Sequence, residues 1–421
     1  MACRATALIL APAVLPFCRA GLLLAALSLA GCGLSSRLPT VIYIAAGANT
    51  DQRLDAELRE DYRQRLGLLQ DAFRQLHPGT TFQLGLYPED QIIPAIVRRS
   101  NAGLDPDLLF INGDTALQLL QAGLVAPFPT DPGLEKLFHP ETLARLRNAD
   151  GQLAGLPVLV QTQLSCFDRR QLPEAPRTLE ELLRISAAGK AIGLTVDPVN
   201  LLWTAGSLGT LPALQRTLRG QPLSPADRQA IQRWLSWLQA ANVQQRITFF
   251  ASQPEADAEF LAGGVAWIPC RSTALPMLRR RLGARLGVAP LPDGPDHPAS
   301  AVNRLRVMAL GRHSSEAGRQ RAIAFSRFNV NPLAQRTLTI GSQTVLPANR
   351  FVSVPVQSSQ VLETLNTAAA QGLEANQLVA SMHSTDPRMP ELKALITRVV
   401  FNETSAAAGS DRLVQILRRT R

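Results

Sequence analysis

Residues 265–273 read VAWIPCRST, an apolar run that breaks at Pro269 and then offers a thiol, a guanidinium and two hydroxyls within four positions. Small, aromatic and β-branched residues running up to a proline indicate a buried strand that ends in a loop. Arg271 is suited to a carboxylate or phosphate through its planar fork, and Ser272 and Thr273 offer hydroxyl donors and acceptors. Elsewhere the usual catalytic patterns are missing. There is no Gly-x-Ser-x-Gly elbow, no His-Glu-x-x-His and no phosphate-cradling Gly-x-x-x-x-Gly-Lys loop. The five histidines are scattered without a Cys or carboxylate partner in sequence. A hydrolase is therefore the least expected reading, and no metal or cofactor is expected.

The cysteines divide by position. Arg19 precedes GLLLAALSLAGCG, whose apolar core Gly21–Ala30 is shorter than the ~20 residues of a spanning helix. It has the form of a signal-peptide core, and Leu29-Ala30-Gly31-Cys32 matches a bacterial lipoprotein signal with Cys32 as the lipidated residue. Residues 1–31 read as the signal peptide and 32–39 as a linker. No later segment is apolar enough to span a bilayer, so the anchor is lipid alone. Cys166 and Cys270 remain. Outside the cytoplasm they can form a disulfide, or they can stay as two buried thiols; their spacing is not that of a metal site.

The chain must hold these groups in place with 421 residues, 46% hydrophobic and 18% charged, enough for two domains. The formal charge of +10 is scattered, with no basic run interleaved with aromatics of the kind that binds nucleic acid. A strand at Val41–Ile44 leads to one amphipathic helix from Asp51 to Leu76, with Leu54, Leu58, Tyr62, Leu66, Leu69, Phe73 and Leu76 on one face. Strands follow at Thr81–Leu84 and Asp107–Ile111, each after a helix. This alternation indicates a parallel sheet covered on both faces. The pattern restarts with strands at Gly155–Phe167, Ile192–Val196, Val265–Ile268 and Gly287–Ala289, and returns at Arg306–Leu310. The C-terminal region is mostly helical. Trp203, Trp234, Trp237 and Trp267 have settings that suit core packing better than ring stacking.

Seven segments in order carry a resemblance: DPDLLFINGD (105–114), AGLVAPF (122–128), GQLAGLPVLVQTQLSCFDRRQL (151–172), PRTLEELL (176–183), FLAGGVAW (260–267), RLGVAPLP (285–292) and QTVLPAN (343–349). Together, behind the lipoprotein signal, they resemble the family 1 extracellular solute-binding proteins of ABC importers, the family that includes the maltodextrin-binding protein. The resemblance implies a two-lobed α/β fold of the periplasmic-binding-protein type II class, each lobe a mainly parallel sheet flanked by helices. It implies lobe 1 at 40–158, lobe 2 at 159–300, a return to lobe 1 at 301–345, and a C-terminal helical segment at 346–421 packing across the lobes. Crossovers are expected near Leu159–Gln163 and Ala301–Arg306. The implied function is capture of a carbohydrate or related polar solute in the interlobe cleft and delivery to permease subunits, without catalysis, by a monomer lipid-anchored on the extracytoplasmic face.

Ligand contacts carried over from that family fall on Asn49, Thr50 and Asp51, on Asn112 and Asp114, on Gln161 and Gln163, on Arg271, Ser272 and Thr273, on Asn303 and Arg304, and on Ser342 and Gln343. Asn49–Asp51 serve equally as caps of the long helix, and Asn112 or Asp114 as caps of the helix starting near Thr115. Sugar-binding relatives usually hold an aromatic where this chain has Thr273, and only 5% of its residues are aromatic. An anionic solute read by Arg271 is therefore the competing reading, as is a degenerate cleft in a sensor or scaffold. Arg271 has a further option, an ion pair with Asp114 across the cleft.

Overall fold

The computed structural model describes residues 40–49, 54–244, 246–382 and 386–419. Cys32, Thr50 and Asp51 lie outside them. The chain forms two lobes, each built on one sheet. The first sheet contains β1 (Thr40–Ala48), β2 (Thr80–Pro88), β3 (Leu108–Asn112), β4 (Val125–Ala126), β5 (Leu156–Gln161), β11 (Arg304–Gly311) and β12 (Leu346–Pro347). The second contains β6 (Gln163–Asp168), β7 (Ile192–Thr195), β8 (Ile247–Phe250), β9 (Trp267–Arg271) and β10 (Leu286–Ala289). The strand orders are β12-β5-β11-β3-β1-β2, with β4 beside β11, and β10-β6-β9-β7-β8. Both sheets are mixed. β1 runs parallel to β2 and β3, and β7 to β8 and β9, whereas β11 opposes β3 and β5, and β6 opposes β9 and β10.

The long helix begins at Ala56 and ends at Leu76, with Asp55 as its N-cap accepting from the Leu58 amide. Leu58, Tyr62, Leu66, Leu69 and Phe73 are buried in the first lobe's core, where the helix packs against β2 and the 316–329 and 332–342 helices. The second core gathers Trp203, Trp234 and Trp267, all buried. The Trp234 indole donates to Thr204 Oγ1 at 2.8 Å, so its polar edge is satisfied inside the core.

Two sequence expectations change. First, Gly155–Phe167 is two strands, because Thr162 passes the chain from one sheet to the other. Second, the strand containing Pro269 runs on to Arg271. Among the described residues β7 meets β9 only at Trp267, so Pro269, which has no N–H, interrupts no ladder on that flank. The C-terminal helices follow at 360–371, 389–400 and 406–418. Their apolar faces, including Leu365, Leu395, Ile396 and Leu413, join the second lobe's core.

Cys166 and Cys270 form a disulfide between β6 and β9, which decides between the pair and two free thiols. No helix among the described residues is long and apolar enough to cross a membrane.

Candidate functional site

The site lies where the lobes meet. On the lobe 1 side it is organised by one buried ion pair that the sequence reading did not single out. Arg306 and Glu89 are inaccessible to solvent and bonded at 2.9 Å. Arg306 also donates to the Gly47 and Phe110 carbonyls and to Asn112 Oδ1, at 2.6, 2.8 and 2.8 Å. Glu89 accepts from the Asn112 amide at 2.8 Å. A buried pair is favourable only when its remaining donors and acceptors are largely met, as here, where Arg306 Nε is the one guanidinium nitrogen without a partner. The charged residue in the apolar strand RLRVMALG was the available signal, since such a group needs a buried partner.

The pair fixes the direction of an amide chain. Arg306 can only donate, so Asn112 accepts through Oδ1 and must turn its Nδ2 outward. That Nδ2 donates to Asn49 Oδ1 at 3.1 Å, and Asn49 Nδ2 donates to Gln161 Oε1 at 2.8 Å. Arg304 Nη1 lies 3.5 Å from the same Asn49 oxygen. Asn112 starts the 113–121 helix by position, yet its side chain makes no capping bond there; the network holds it instead.

Lobe 2 presents a matching cluster. Gln163 pairs with Arg271 across β6 and β9, just as Gln161 pairs with Arg304 across β5 and β11. Arg271 donates to Asn200 Oδ1 at 2.6 Å and Gln163 donates to the Asn200 carbonyl at 2.9 Å. The Asn200 amide in turn donates to Asp197 at 2.8 Å. The bond to Asn200 replaces the Arg271–Asp114 pair that the sequence allowed.

Between the lobes is a cleft enclosing about 1380 Å³, open to solvent. Lobe 1 contributes Asn112, Asp114, Arg145, Leu146 and Arg304 to it. Lobe 2 contributes Asp197 and Val199, with Met382 and Met389 from the C-terminal region. Burial and the Glu89 charge raise the Asp114 pKa, with Arg304 opposing. Burial also lowers the pKa of Arg304 and Arg145, and lowers that of Arg271 well below its usual value, with Arg304 adding to the Arg271 shift. Guanidiniums stay protonated under such shifts. The floor therefore holds fixed donors beside carboxylate acceptors, the arrangement that exchanges hydrogen bonds with a polar solute as its water is removed.

The other sequence candidates separate from this cleft in different ways. Asn303 lines it, but its Nδ2 donates to the Ala369 carbonyl at 2.8 Å and so ties down the 360–371 helix. Ser272 is buried and clamped to the crossover: its amide donates to the Thr162 carbonyl at 2.9 Å and its hydroxyl accepts from the Thr162 amide at 3.3 Å. Thr273 lines a second interlobe space of about 880 Å³ with Asp55, Glu57, Asp61 and Asp257. Ser342 and Gln343 end a helix away from the cleft; Ser342 Oγ accepts from the Thr344 amide, and Gln343 takes a left-handed backbone at φ 48°. Asp197, Val199, Asn200 and Arg145 were not anticipated. Asp197-Pro198-Val199-Asn200 reads in sequence only as a turn.

Comparison with known proteins adds the following. The family profile described as bacterial extracellular solute-binding protein matches residues 69–371. No curated protein matches the chain by sequence. Among solved structures, the GacH receptor of Streptomyces glaucescens, studied with acarbose, superposes with a TM-score of 0.72 at 16% identity, covering 90% of this chain and 99% of its own. A maltotriose-binding protein of Thermus thermophilus gives 0.68 at 14% identity, covering 90% and 99%. The maltose-maltodextrin binding protein of Alicyclobacillus acidocaldarius gives 0.65 at 19%, covering 90% and 100%.

Proposed function

The chain belongs to the bacterial extracellular solute-binding proteins, and from that premise we propose that it is the receptor of an ABC importer for a neutral, polyhydroxylated solute, an oligosaccharide or a close derivative. The solute is captured between the lobes and handed unchanged to permease subunits. Cys32 carries the lipid that holds the receptor, a monomer, at the membrane. The disulfide suits an oxidising, extracytoplasmic setting.

One observation carries the ligand class: among the described residues the cleft is lined by two carboxylates, Asp114 and Asp197, and two guanidiniums, Arg145 and Arg304. Their charges cancel, so a neutral ligand leaves no charge unpaired in a desolvated space. Carboxylates accept from hydroxyls, while guanidiniums donate to hydroxyl and ring oxygens. The neighbours in fold are described with acarbose and maltotriose, which fits this chemistry. None of the described residues lining the cleft is aromatic. Val199, Leu146, Met382 and Met389 supply the apolar contact that a flat ring would otherwise give. An anionic solute is less favoured, because Arg271 is engaged by Asn200 and the cleft charges already balance.

Calorimetric titration with maltotriose and acarbose tests the reading. Saturable binding that is lost in Asp114→Ala supports it, whereas binding confined to anionic sugars refutes it. Detergent-phase partitioning that survives Cys32→Ala would refute the lipid anchor.

A further inference from the structure

Arg271 has the residue type of a group that reads ligand charge, and its surroundings give it another task. We infer that Arg271 is a positioning residue for the lobe 2 half of the cleft, acting through Asn200 on Asp197. It ends β9, is 3% exposed, and does not line the cleft. Its Nη2 donates to Asn200 Oδ1 at 2.6 Å, a charge-assisted bond inside the protein. Gln163, its register partner on β6, holds the carbonyl of the same Asn200.

Asn200 is thus gripped twice by the strand pair that begins at the crossover. Its remaining backbone donor is spent on Asp197 Oδ1 at 2.8 Å, and the Leu201 amide bonds the Asp197 carbonyl at 3.1 Å. Residues 197–200 therefore form a closed turn whose far end is fixed to β6 and β9. Its near end places Asp197 and Val199 in the cleft. The next residue of β9's continuation, Ser272, is bonded to Thr162. The consequence is mechanical. If the lobes move about Thr162, the Asp197 carboxylate stays in register with that connection while facing the same cleft as Arg304 of lobe 1, whose pKa its charge raises.

The inference rests on the cleft being the ligand site, and its first test needs no ligand. Hydrogen exchange in the unliganded full chain reports the Asn200 amide directly. In Arg271→Met that amide is expected to exchange about tenfold faster, with Arg271→Lys intermediate because an ammonium still reaches Asn200 Oδ1. Unchanged protection in Arg271→Met would overturn the proposal. If Arg271→Met fails to fold, Asn200→Leu removes the same contact from the loop side and is read in the same way at Asp197-proximal amides. The second test is a cycle of Arg271→Met and Asp197→Asn on maltotriose affinity. Action through Asp197 predicts that Arg271→Met costs little once Asp197 is changed, whereas losses that simply add would show separate action and overturn it. Failure of the unaltered protein to bind maltotriose would count against the sugar reading alone, and exchange at Asn200 would still decide this one.

Discussion

Gln161 and Gln163 stand two residues apart on one extended segment and belong to different lobes. Gln161 is the last residue of β5, opposite Arg304, and Gln163 the first of β6, opposite Arg271. Both side chains are buried in hydrogen bonds to their own lobe, to Asn49 and to the Asn200 carbonyl. Thr162 between them is one of the connections by which the chain passes between the lobes, another lying between β10 and β11. Hinges of this kind absorb motion in a few residues at element ends.

The lobes also touch away from the hinge. Arg280 of lobe 2 bonds Glu57 at 2.7 Å and Asp61 at 3.1 Å, both on the first turns of the long lobe 1 helix. Exposed pairs of this kind contribute about 0.5–1 kcal/mol. Arg280→Glu should open the lobes, raise the radius of gyration in solution scattering, and weaken ligand binding by roughly 2–5-fold.

Arg306 should be far more sensitive. Arg306→Met leaves Glu89 buried without its cation and is expected to cost about 3–5 kcal/mol in urea unfolding. Adding Glu89→Gln should recover part of that loss, because the stranded charge is gone.

The Cys166–Cys270 disulfide closes a long loop, with a sequence separation of 104. Replacing both cysteines by alanine should lower stability by about 2–5 kcal/mol. Melting with and without reductant checks this, and the double variant should be indifferent to reductant.

Asp257 provides a pH signature. Burial pushes its carboxyl up to about 7, against the opposing hydrogen bond from Gln253. The folded chain then keeps a proton that the unfolded chain releases near pH ~4. Stability from this group is full below that pH and is lost as pH rises to about 7. Asp257→Asn should therefore add roughly 2–4 kcal/mol at pH 8, add nothing below pH ~4, and flatten the profile between.

Much of this architecture was legible because it is written in local periodicity. The Leu58–Phe73 stripe and the runs LLFIN and RLRVMALG declare their elements directly. The site was only half legible. Asn49, Asn112, Gln161 and Arg304 stand at strand ends to which the family resemblance pointed. Asp197 and Asn200 did not announce themselves, since their roles come from Arg271 and Gln163, distant in sequence. The long strand read across Thr162 fails for a related reason. Alternation of residues cannot reveal that two halves of one extended run pair with different sheets. Asn303 and Ser272 have polar side chains in cleft-facing segments, yet each is used to hold backbone.

On the proposed function, a charge-balanced cleft takes a neutral sugar between Asp114 of lobe 1 and Asp197 of lobe 2. Calorimetric titration of the purified protein with maltotriose, run beside Asp114→Ala and Asp197→Ala, tests it most directly. The account predicts saturable one-to-one binding that either substitution weakens by at least about tenfold, roughly 1.4 kcal/mol. Absence of heat with maltotriose and acarbose, together with tight binding of a sugar phosphate that survives both substitutions, would contradict it.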